Sequence, residues 1–459
     1  MDLKQKKIAI LGIGNENIAL IKYLKKHNIS NLTLCDKEGE ISDLTLQIGE
    51  GDYKFKLGED YLSELKNFDL VFRTPGLPYL NSQIQDAKTN GVEISSQIKL
   101  FFELCPCPII GITGTKGKGT TSTLIYEILK REFETNQKSN IYLAGNIGNA
   151  PIEFLDKLTE DDIVVLELSS FQLQDLEKSP HIAVVLNISS DHLDVHKSNE
   201  EYVEAKTNLV RHQKQADFAV INADYLTSFQ FAAITQAKVF WFSRRKSVDF
   251  GCFIAGDTIV LRIHENDHEL AKTGEILLRG EHNLENICAA SIAGFLAGAK
   301  ANSIKEVLKT FKGLEHRLEL VGKLNGISFY NDSFSTNPDT AIAAIKSFSE
   351  PIVLIAGGSE KFADYQELGS EIDKSTIKTL VLIGETGPRI KKEIKNKNIK
   401  IIDQCQNLSE VMEAVKNEAA SGDVVLLSPA SASFDWFKNY KDRGNQFKEQ
   451  VKNLYEKIN

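Results

Sequence analysis

The first hundred residues alternate short apolar runs with polar turns and stretches of helical periodicity. An apolar run at 8–11 leads into a glycine turn, the pattern of a buried strand that ends at the sheet edge. Apolar residues then recur on one helix face, and a second apolar run ends at Asp36. Further runs at 68–72 and 92–94 continue the alternation. The pattern predicts a Rossmann-like α/β domain over residues 1–96.

The middle of the chain repeats this alternation with longer apolar runs. Residues 108–110 and 162–167 predict core strands, and the run at 183–188 is followed by a polar loop. Residues 236–280 alternate short β-type runs with polar turns. We therefore expect a central α/β domain over residues 97–313.

The last third restarts the strand and helix alternation. Its strand-like runs are 327–330, 351–356, 380–384 and 423–427. These runs predict a C-terminal Rossmann-like domain over residues 314–459, so the expected fold class is α/β with three domains.

Composition and charge narrow the class of protein. Hydrophobic residues make up 42% of the chain and charged residues 25%, as in ordinary soluble globular proteins. The net charge of −9, with no visible basic stripe, argues against nucleic acid as a partner. The six cysteines form no CxxC pair, which favours reduced thiols in a cytoplasmic protein. No apolar stretch reaches the length of a membrane span, and the run at 8–11 is too short for a signal peptide.

The stretch 111–123, GITGTKGKGTTST, has the composition of a phosphate-binding loop. Its small residues let backbone N–H groups converge on phosphate oxygens at a helix N-terminus, where the helix dipole favours an anion. Lys118 would place its ammonium on the β- and γ-phosphates of a nucleoside triphosphate. The alternative is a glycine-rich turn without a ligand. A lysine between two glycines has no obvious packing role, and this favours a P-loop-type ATPase in the central domain.

The loop departs from the strict phosphate-loop spacing in two ways. Ile112 occupies the position five before Gly117, so the GxxxxGK pattern fails by one residue. Gly119 stands where Ser or Thr is usual. The hydroxyl that binds magnesium must therefore come from Thr120 or Thr121, or be absent.

Polar residues after two later strands are candidate metal ligands. Glu167 ends a core strand, where a carboxylate holds Mg²⁺ in loop NTPases, although a surface glutamate is the alternative. The segment 191–194, DHLD, follows another strand, and His192 is either a metal ligand or a structural histidine. By pattern alone, Lys206 is interpreted as a solvated helix lysine.

A dinucleotide-binding fingerprint is only partly present near the N-terminus. Asp36 lies 24 residues after Gly12, near the position of a ribose-binding acid. Asn17 replaces the third glycine of the fingerprint. A Rossmann-like unit that binds no NAD is therefore the favoured interpretation.

Motifs spread over all three predicted domains resemble the Mur ligase family. They are GITGTKGKGT, GNIG at 145–148, ELSSFQL at 167–173, DHLD at 191–194, GEHNLEN at 280–286, GLEHR at 313–317, NDSFSTN at 331–337 and LSPASASFDWFKNYKDRGNQF at 427–447. The last motif resembles the member that adds D-glutamate. The resemblance implies ATP-dependent, ADP-forming ligation of D-glutamate to UDP-N-acetylmuramoyl-L-alanine through an acyl phosphate. It also implies that the N-terminal domain holds the UDP moiety and that the C-terminal domain brings the amino acid.

The resemblance assigns roles to individual residues. The implied catalytic set is Lys118, Glu167, His192 and Lys206, with Lys206 carbamylated. The implied ligands of two Mg²⁺ ions are Thr120, Glu167, His192 and Lys206. The implied ATP contacts are Gly114, Thr115, Lys116, Gly117, Lys118, Gly119, Thr120, Thr121, Asn286, Arg317 and Asp332. The implied contacts of the UDP substrate are Gly14, Asn15, Asp36, Thr74, Gly76 and Asn146, and those of D-glutamate are Thr336, Lys361, Ser433, Phe434 and Tyr440.

Several positions depart from the pattern of the D-glutamate-adding member. Phe334 stands where a lysine is usual, and Ser359-Glu360 replaces a more usual Asp-Gly. Glu16 places a carboxylate in the turn expected to approach the UDP pyrophosphate, and Gly119 removes a hydroxyl beside the magnesium.

Two alternatives therefore stay open. Phe334 favours another Mur-type ligase with a different nucleotide-sugar or amino-acid substrate. Gly119 favours a nucleotide-binding regulatory homologue that has lost catalysis. In every case we expect a cytoplasmic monomer that binds small molecules, without a nucleic-acid or membrane partner.

Overall fold

The computed structural model describes residues 3–39, 48–49, 51–133, 139–146, 148–189, 196–264, 266–360 and 362–456. The chain divides into two compact units. The first comprises Met1–Lys272 and Glu285–Val307, and the second comprises Thr273–Leu284 and Leu308–Asn459. In the described part, the first unit holds two sheets and the second holds one.

The N-terminal sheet is parallel, with strand order β3-β2-β1-β4-β5. Its strands are β1 (Ile8–Leu11), β2 (Leu32–Asp36), β3 (Lys54–Leu57), β4 (Leu70–Arg73) and β5 (Glu93–Ser95). The helices that accompany it are α1 (Asn15–Lys26), α2 (Ser82–Thr89) and α3 (Gln97–Leu104). The central strand β1 is buried at all four positions, which explains its unbroken apolar run.

The second sheet of this unit has nine described strands in the order β14-β13-β12-β11-β10-β9-β6-β8-β7. They are β6 (Ile109–Thr113), β7 (Ile141–Gly145), β8 (Ile163–Glu167), β9 (Ile182–Val185), β10 (Phe218–Asn222), β11 (Lys238–Ser243), β12 (Gly251–Ala255), β13 (Thr258–Ile263) and β14 (Asn266–Lys272). All neighbours from β7 to β12 pair parallel, and β13 pairs antiparallel with β12 and β14. The predicted β-type alternation in 236–280 is therefore confirmed.

The helices that follow along the chain are α4 (Lys118–Phe133), α5 (Ser170–Leu173), α6 (Asn199–Arg211), α7 (Leu226–Phe229), α8 (Glu281–Leu296) and α9 (Ala301–Thr310). Short 3-10 helices lie at Leu65–Asn67, Pro151–Glu153, Leu155–Lys157, Gln230–Ala233 and Thr273–Glu275. The apolar periodicity after the glycine loop correctly predicted α4, whose four predicted core residues are fully buried: Leu124, Ile125, Ile128 and Leu129.

In the second unit, the described residues form a sheet of six strands with the order β15-β16-β20-β17-β18-β19. Its strands are β15 (Glu319–Leu324), β16 (Ile327–Asn331), β17 (Ile352–Gly357), β18 (Ile377–Ile383), β19 (Lys400–Ile402) and β20 (Val424–Leu427). Its helices are α10 (Pro338–Ile345), α11 (Gln366–Lys374), α12 (Gly387–Glu393), α13 (Leu408–Glu418) and α14 (Tyr440–Glu456). The edge strand β15 pairs antiparallel with β16, and the other pairs are parallel.

The strand order places the candidate loops together. In the nine-stranded sheet, β9, β6, β8 and β7 are consecutive neighbours. Parallel strands bring their carboxyl ends to the same edge, so the loops that follow them lie side by side. Among the described helices, none is both long enough and apolar enough to cross a membrane. The domain boundaries at 96/97 and 313/314 stay predictions.

Candidate functional site

The glycine loop joins β6 to α4, as the sequence predicted. At two of its glycines, neighbouring side chains approach the backbone so closely that no β-carbon fits. Gly117 has φ +89°, and a β-carbon there would lie 2.3 Å from Asn286 Oδ1. A β-carbon on Gly114 would lie 2.7 Å from the Leu186 β-carbon. A side chain at either position would therefore displace a neighbour that shapes the loop.

Lys118 is the first residue of α4 and its side chain turns back over the loop. Its Nζ donates to the carbonyl oxygens of Gly114 at 3.0 Å and Thr115 at 3.2 Å. The ammonium thus lies beside the backbone that would surround a phosphate. Lys116, in contrast, is exposed.

The two threonines after Gly119 have different environments. Thr121 is fully buried, and its hydroxyl donates to Asn286 Oδ1 at 3.3 Å. Thr120 is half-buried. Of the two hydroxyls considered for magnesium, that of Thr120 is therefore the accessible one.

Thr115 fastens the loop to the segment after β9. Its Oγ1 donates to the Ser189 carbonyl oxygen at 2.9 Å and accepts the Ser189 N–H at the same distance. The Tyr202 hydroxyl lies 3.0 Å from the same atom. Thr115 therefore holds the backbone of Ser189 against the glycine loop.

Glu167 and Asn146 meet at the ends of β8 and β7. Glu167 is 5% exposed, so the alternative of a surface glutamate is wrong. Its Oε1 accepts the Asn146 Nδ2–H at 3.0 Å, and its carbonyl accepts the Asn146 N–H at 2.9 Å. Gly145, at φ +108°, permits this approach because a β-carbon there would lie 2.2 Å from the Glu167 carbonyl oxygen.

Lys206 is buried, so its interpretation as a solvated helix lysine is wrong. It is 1% exposed, and its Nζ donates to Thr113 Oγ1 at 3.3 Å and to the Gly114 carbonyl at 3.2 Å. The ammonium also lies 4.6 Å from the Tyr202 ring centroid. The end of β6 therefore brings Lys206 and Lys118 to the same Gly114 carbonyl.

The sequence analysis missed His196, four residues after His192. His192 itself lies outside the described residues. The His196 ring is buried, with Nε2 2.9 Å from Ser170 Oγ and Nδ1 2.9 Å from Glu201 Oε2. It stacks on Phe171 with centroids 4.9 Å apart. These contacts anchor the chain directly after the DHLD motif.

In the N-terminal sheet, the Asp36 carboxylate accepts hydrogen bonds from two backbone N–H groups. Its Oδ2 accepts the Ile13 N–H at 2.7 Å and its Oδ1 accepts the Glu38 N–H at 3.1 Å. Gly14 and Asn15 are exposed at the start of α1. The carboxylate thus shapes the turn in which the UDP-contact residues were predicted.

Thr74 and Gly76 follow β4 along the chain. Thr74 donates its N–H to the Leu11 carbonyl at 3.0 Å, and a β-carbon on Gly12 would lie 2.5 Å from its Cγ2. A β-carbon on Gly76 would meet nothing within 4 Å. Thr74 therefore borders the turn after β1, whereas the space beside Gly76 is open.

Glu16 is turned toward the ELSSFQL segment. Its Oε1 accepts the Gln172 Nε2–H at 2.8 Å. Burial raises the pKa of the Glu16 carboxyl, while the Gln172 hydrogen bond and the Arg73 charge lower it. The hydrogen bond from Gln172 thus gives the Glu16 carboxylate a partner within the protein.

Arg73 is a second residue that the sequence analysis missed. Its side chain is 1% exposed, and one amino group donates to Asp175 Oδ1 and to the Phe171 carbonyl, each at 2.8 Å. The other donates to the Leu77 carbonyl at 3.1 Å. Arg73 therefore ties the segment of Thr74 and Gly76 to the chain after β8.

In the second unit, Asp332 lies at the end of β16 and is buried. Its Oδ2 accepts the Ser428 hydroxyl at 2.7 Å and its Oδ1 accepts the Leu318 N–H at 3.2 Å. Burial raises the pKa of Asp332 to about 7, although these hydrogen bonds and the Arg317 charge lower it.

Phe334 replaces the expected lysine with an aromatic platform. The Arg317 guanidinium carbon lies 3.8 Å from the Phe334 ring centroid. The Tyr440 ring meets Phe334 edge-on, with centroids 5.0 Å apart. One ring therefore contacts a residue predicted to bind ATP and one predicted to bind D-glutamate.

The remaining residues predicted to bind D-glutamate lie on neighbouring loops, except that Lys361 lies outside the described residues. Ser433 is buried, Thr336 is half-buried, and Phe434 is 69% exposed. The Phe434 N–H donates to Ser359 Oγ at 3.0 Å. Ser359, one of the departures from the family pattern, thus holds this loop.

Comparisons with known proteins agree with these motifs. Protein-family models described as "Mur ligase MurD-like, N-terminal domain", "Mur ligase middle domain" and "Mur ligase, glutamate ligase domain" match residues 6–96, 112–294 and 316–431. The UDP-N-acetylmuramoylalanine–D-glutamate ligase of Acetivibrio thermocellus is 43% identical, covering 98% of this chain and 97% of its own. The chain belongs to the Mur ligase family.

Other Mur ligases are similar over their full length. The ligase of the same name from Clostridioides difficile is 39% identical, covering 99% of this chain and 100% of its own. The solved UDP-N-acetylmuramate–alanine ligase of Thermotoga maritima has a TM-score of 0.57 at 17% identity, covering 98% and 100%. A MurF ligase from the same organism, solved with ADP, also has a TM-score of 0.57, at 16% identity and with full coverage of both chains. These two structures share the three-domain α/β fold of this Mur ligase.

Proposed function

We propose that this Mur ligase joins D-glutamate to UDP-N-acetylmuramoyl-L-alanine with conversion of ATP to ADP and phosphate. Relatives that carry the name of this activity are 38–43% identical over at least 98% of the chain. The observation that carries the proposal is the glycine loop of β6, where Lys118 and Lys206 share the Gly114 carbonyl beside the strand that ends in Glu167. The reaction belongs to peptidoglycan precursor synthesis, and we place it in the cytoplasm, where ATP and nucleotide-linked sugars are found.

The reaction needs an activated carboxyl group, because a carboxylate resists attack by an amine. One oxygen of the alanyl carboxylate attacks the γ-phosphorus of ATP, forms an acyl phosphate and displaces ADP. The D-glutamate amine then attacks the acyl carbon, and phosphate leaves with that carboxylate oxygen. Negative charge gathers on the transferred group, so fixed cations lower the barrier.

Lys118 is proposed to neutralise this charge. Its ammonium lies within hydrogen-bond distance of two loop carbonyls, beside the backbone that would surround a phosphate. The nucleotide-binding set is proposed to be Gly114, Thr115, Lys116, Gly117, Lys118, Gly119, Thr120, Thr121, Asn286, Arg317 and Asp332.

The residues present fit a magnesium ion. Mg²⁺ takes one or two protein carboxylates and completes its shell with water and phosphate. Glu167 and the accessible Thr120 hydroxyl supply such a partial set, and the described residues hold no closed cluster of three or more His, Cys, Asp or Glu. We propose Thr120, Glu167, His192 and Lys206 as ligands of two ions. The ions would supply positive charge that polarises the phosphoryl oxygens.

Carbamylation of Lys206 fits the burial of that residue. A neutral amine that adds CO₂ becomes an anionic carboxylate-like group, and such a group could hold a cation at the edge of the loop. Its neighbours Thr113 and Gly114 would keep it aligned with the phosphate-binding backbone.

We propose that the two other substrates use the loops already described. Contacts to the UDP moiety are assigned to Gly14, Asn15, Asp36, Thr74, Gly76 and Asn146. Contacts to D-glutamate are assigned to Thr336, Lys361, Ser433, Phe434 and Tyr440. We also propose domains at 1–96, 97–313 and 314–459 and a monomeric state, which light scattering after size exclusion would test.

ATP-dependent phosphate release over a panel of amino acids tests the proposal. The purified protein is given ATP, Mg²⁺ and UDP-N-acetylmuramoyl-L-alanine, with one amino acid at a time. D-Glutamate should give the fastest release, and omission of the nucleotide sugar should abolish it. Faster turnover of another amino acid would favour the alternative acceptor that Phe334 suggests.

A further inference from the structure

Arg443 is a fully buried cation beneath the loops assigned to the amino acid. It lies in the first turn of α14, and its guanidinium makes four hydrogen bonds in the described part. Nε donates to Ser333 Oγ at 2.9 Å, and the two amino groups donate to the carbonyls of Ala432 at 3.0 Å, Ser333 at 2.9 Å and Ser431 at 3.1 Å. All four acceptors are hydroxyl or carbonyl oxygens.

This arrangement leaves the charge of Arg443 without a directly bonded carboxylate among the described residues. Burial lowers the pKa of Arg443 to about 10, while the charges of Asp435 and Asp332 raise it. At neutral pH the guanidinium therefore remains positive. Removing a cation from water is unfavourable unless something compensates it, and neutral carbonyls compensate only in part.

The guanidinium also orients the loop that carries Ser433. Because the C=O and N–H of a trans peptide point in opposite directions, the carbonyl of Ala432 directed at Arg443 turns the Ser433 N–H away from it. A cation bonded to the carbonyl polarises that N–H and makes it a better donor to an anion. Arg443 therefore fixes the direction of the Ser433 N–H and makes this group a stronger hydrogen-bond donor.

Arg443 also holds the loop after β17. A β-carbon on Gly358 would lie 3.1 Å from an Arg443 amino nitrogen and 2.1 Å from the Ala432 carbonyl oxygen. The Ser359 N–H donates to the same carbonyl at 3.0 Å. Loops after β16, β17 and β20 thus converge on one side chain.

D-Glutamate carries two carboxylates and one ammonium, so its net charge is −1. Phe334 supplies no charge at the position where a lysine is usual. Arg317 is exposed, so solvent screens its charge, whereas a buried cation acts through a medium of lower dielectric constant.

We propose that Arg443 acts together with Lys361, which is assigned above to the substrate, to make the amino-acid site select a substrate with two carboxylates. It positions the Ser433 loop and supplies positive electrostatic potential from the protein interior, without touching the substrate. The inference rests on the proposed function and names the electrostatic basis of its specificity.

Kinetics of Arg443→Met and Arg443→Lys test this role. Arg443→Met should raise the KM for D-glutamate roughly tenfold to a hundredfold, the range typical of a lost charge-assisted contact, and change the KM for ATP less than twofold. Arg443→Lys keeps the charge and should recover most of the loss. The Ki of D-glutamine, a competitor without net charge, should change less than threefold.

A matched control separates charge from folding. Val451 packs in the core from the same helix, so Val451→Ala should lower the Tm without changing either KM. Equal KM changes in Arg443→Met and Val451→Ala, or a parallel rise in the KM for ATP, would overturn the inference.

The variant Asp435→Asn gives a second test of the electrostatic effect and leaves the Arg443 side chain in place. Removing this nearby negative charge should lower the KM for D-glutamate at least twofold, and an unchanged or higher KM would overturn the inference even if Arg443→Met does not fold. If the wild-type protein does not turn over D-glutamate at all, the proposed function fails first. The dissociation constants of D-glutamate and D-glutamine, measured by calorimetry, would then decide the role of Arg443: Arg443→Met should weaken D-glutamate binding at least tenfold more than D-glutamine binding, and an equal change would overturn the inference.

Discussion

The buried carboxyl of Asp332 makes the stability of the second unit depend on pH. Replacing Asp332 with Asn keeps an acceptor for the Leu318 N–H and a polar partner for the Ser428 hydroxyl, and removes only the ionisable proton. A comparison of the two proteins therefore isolates the free energy of charging this buried group.

The sign follows from the raised pKa. The pKa of Asp332 is about 7 in the folded protein and near 3.8 when unfolded. Between these values the folded state holds a proton that the unfolded state has lost, so stability falls as pH rises. At 1.36 kcal/mol per pKa unit the full cost is roughly 4 kcal/mol, and roughly 2–3 kcal/mol of it develops between pH 5 and pH 8.

Denaturant unfolding at several pH values measures this difference. The chain has two tryptophans, so a Trp241→Phe background leaves Trp436 as a reporter of the second unit. From pH 5 to pH 8 the free energy of unfolding of Asp332→Asn should rise by roughly 2–3 kcal/mol relative to its parent, because other titrations cancel. The partly exposed Asp442, whose pKa is lowered by hydrogen bonds from Gln446 and the Lys438 N–H, gives a control, since Asp442→Asn should show no such rise. Parallel stability curves for parent and Asp332→Asn would refute the reasoning.

Three further substitutions test the site. Lys118→Ala should reduce turnover by two to three orders of magnitude with an unchanged circular dichroism spectrum, since a lost transition-state donor costs roughly 3–4 kcal/mol; near wild-type phosphate release would contradict its role. Lys206→Ala should be inactive and regain activity with acetate, and intact mass at high CO₂ should show wild-type Lys206 carbamylated; an unmodified lysine without rescue would count against the proposal. Phe334→Lys should raise the KM for ATP about threefold to tenfold, because it replaces a cation–π contact to Arg317 with like-charge repulsion, and lower the KM for D-glutamate; unchanged constants would separate Phe334 from both sites.

Local sequence patterns predicted the architecture because the strands in question are buried on both faces. The continuous apolar runs of β1, β8 and β17 and the periodicity of α4 need no information from elsewhere in the chain. β3 escaped notice because it is a partly exposed edge strand whose composition is mixed.

The prediction that Lys206 is solvated was wrong, although the helical pattern places this residue on the buried face of α6. Tyr202, Ala205 and Leu209 are buried on α6, and Lys206 lies on the same face of the helix. The pattern placed it there, but a lysine side chain usually extends to solvent, so only the position of Thr113 and Gly114 shows why it does not.

Other site residues could not be predicted because their partners are distant in sequence. Glu16 meets Gln172 across 156 positions, and Arg443 meets Ser333 across 110. His196 meets Ser170, the first residue of α5, across 26 positions. No spacing rule encodes such pairs, since they follow from the order of strands in the sheets.

Isotope transfer from the substrate carboxylate tests the central claim most directly. UDP-N-acetylmuramoyl-L-alanine labelled with ¹⁸O in its carboxyl group is incubated with the protein, ATP, Mg²⁺ and D-glutamate, and product and phosphate are analysed by mass spectrometry. Acyl-phosphate chemistry predicts one D-glutamate added to each product molecule and one ¹⁸O atom in each phosphate released. Phosphate without ¹⁸O, or phosphate release without the D-glutamyl product, would contradict the account.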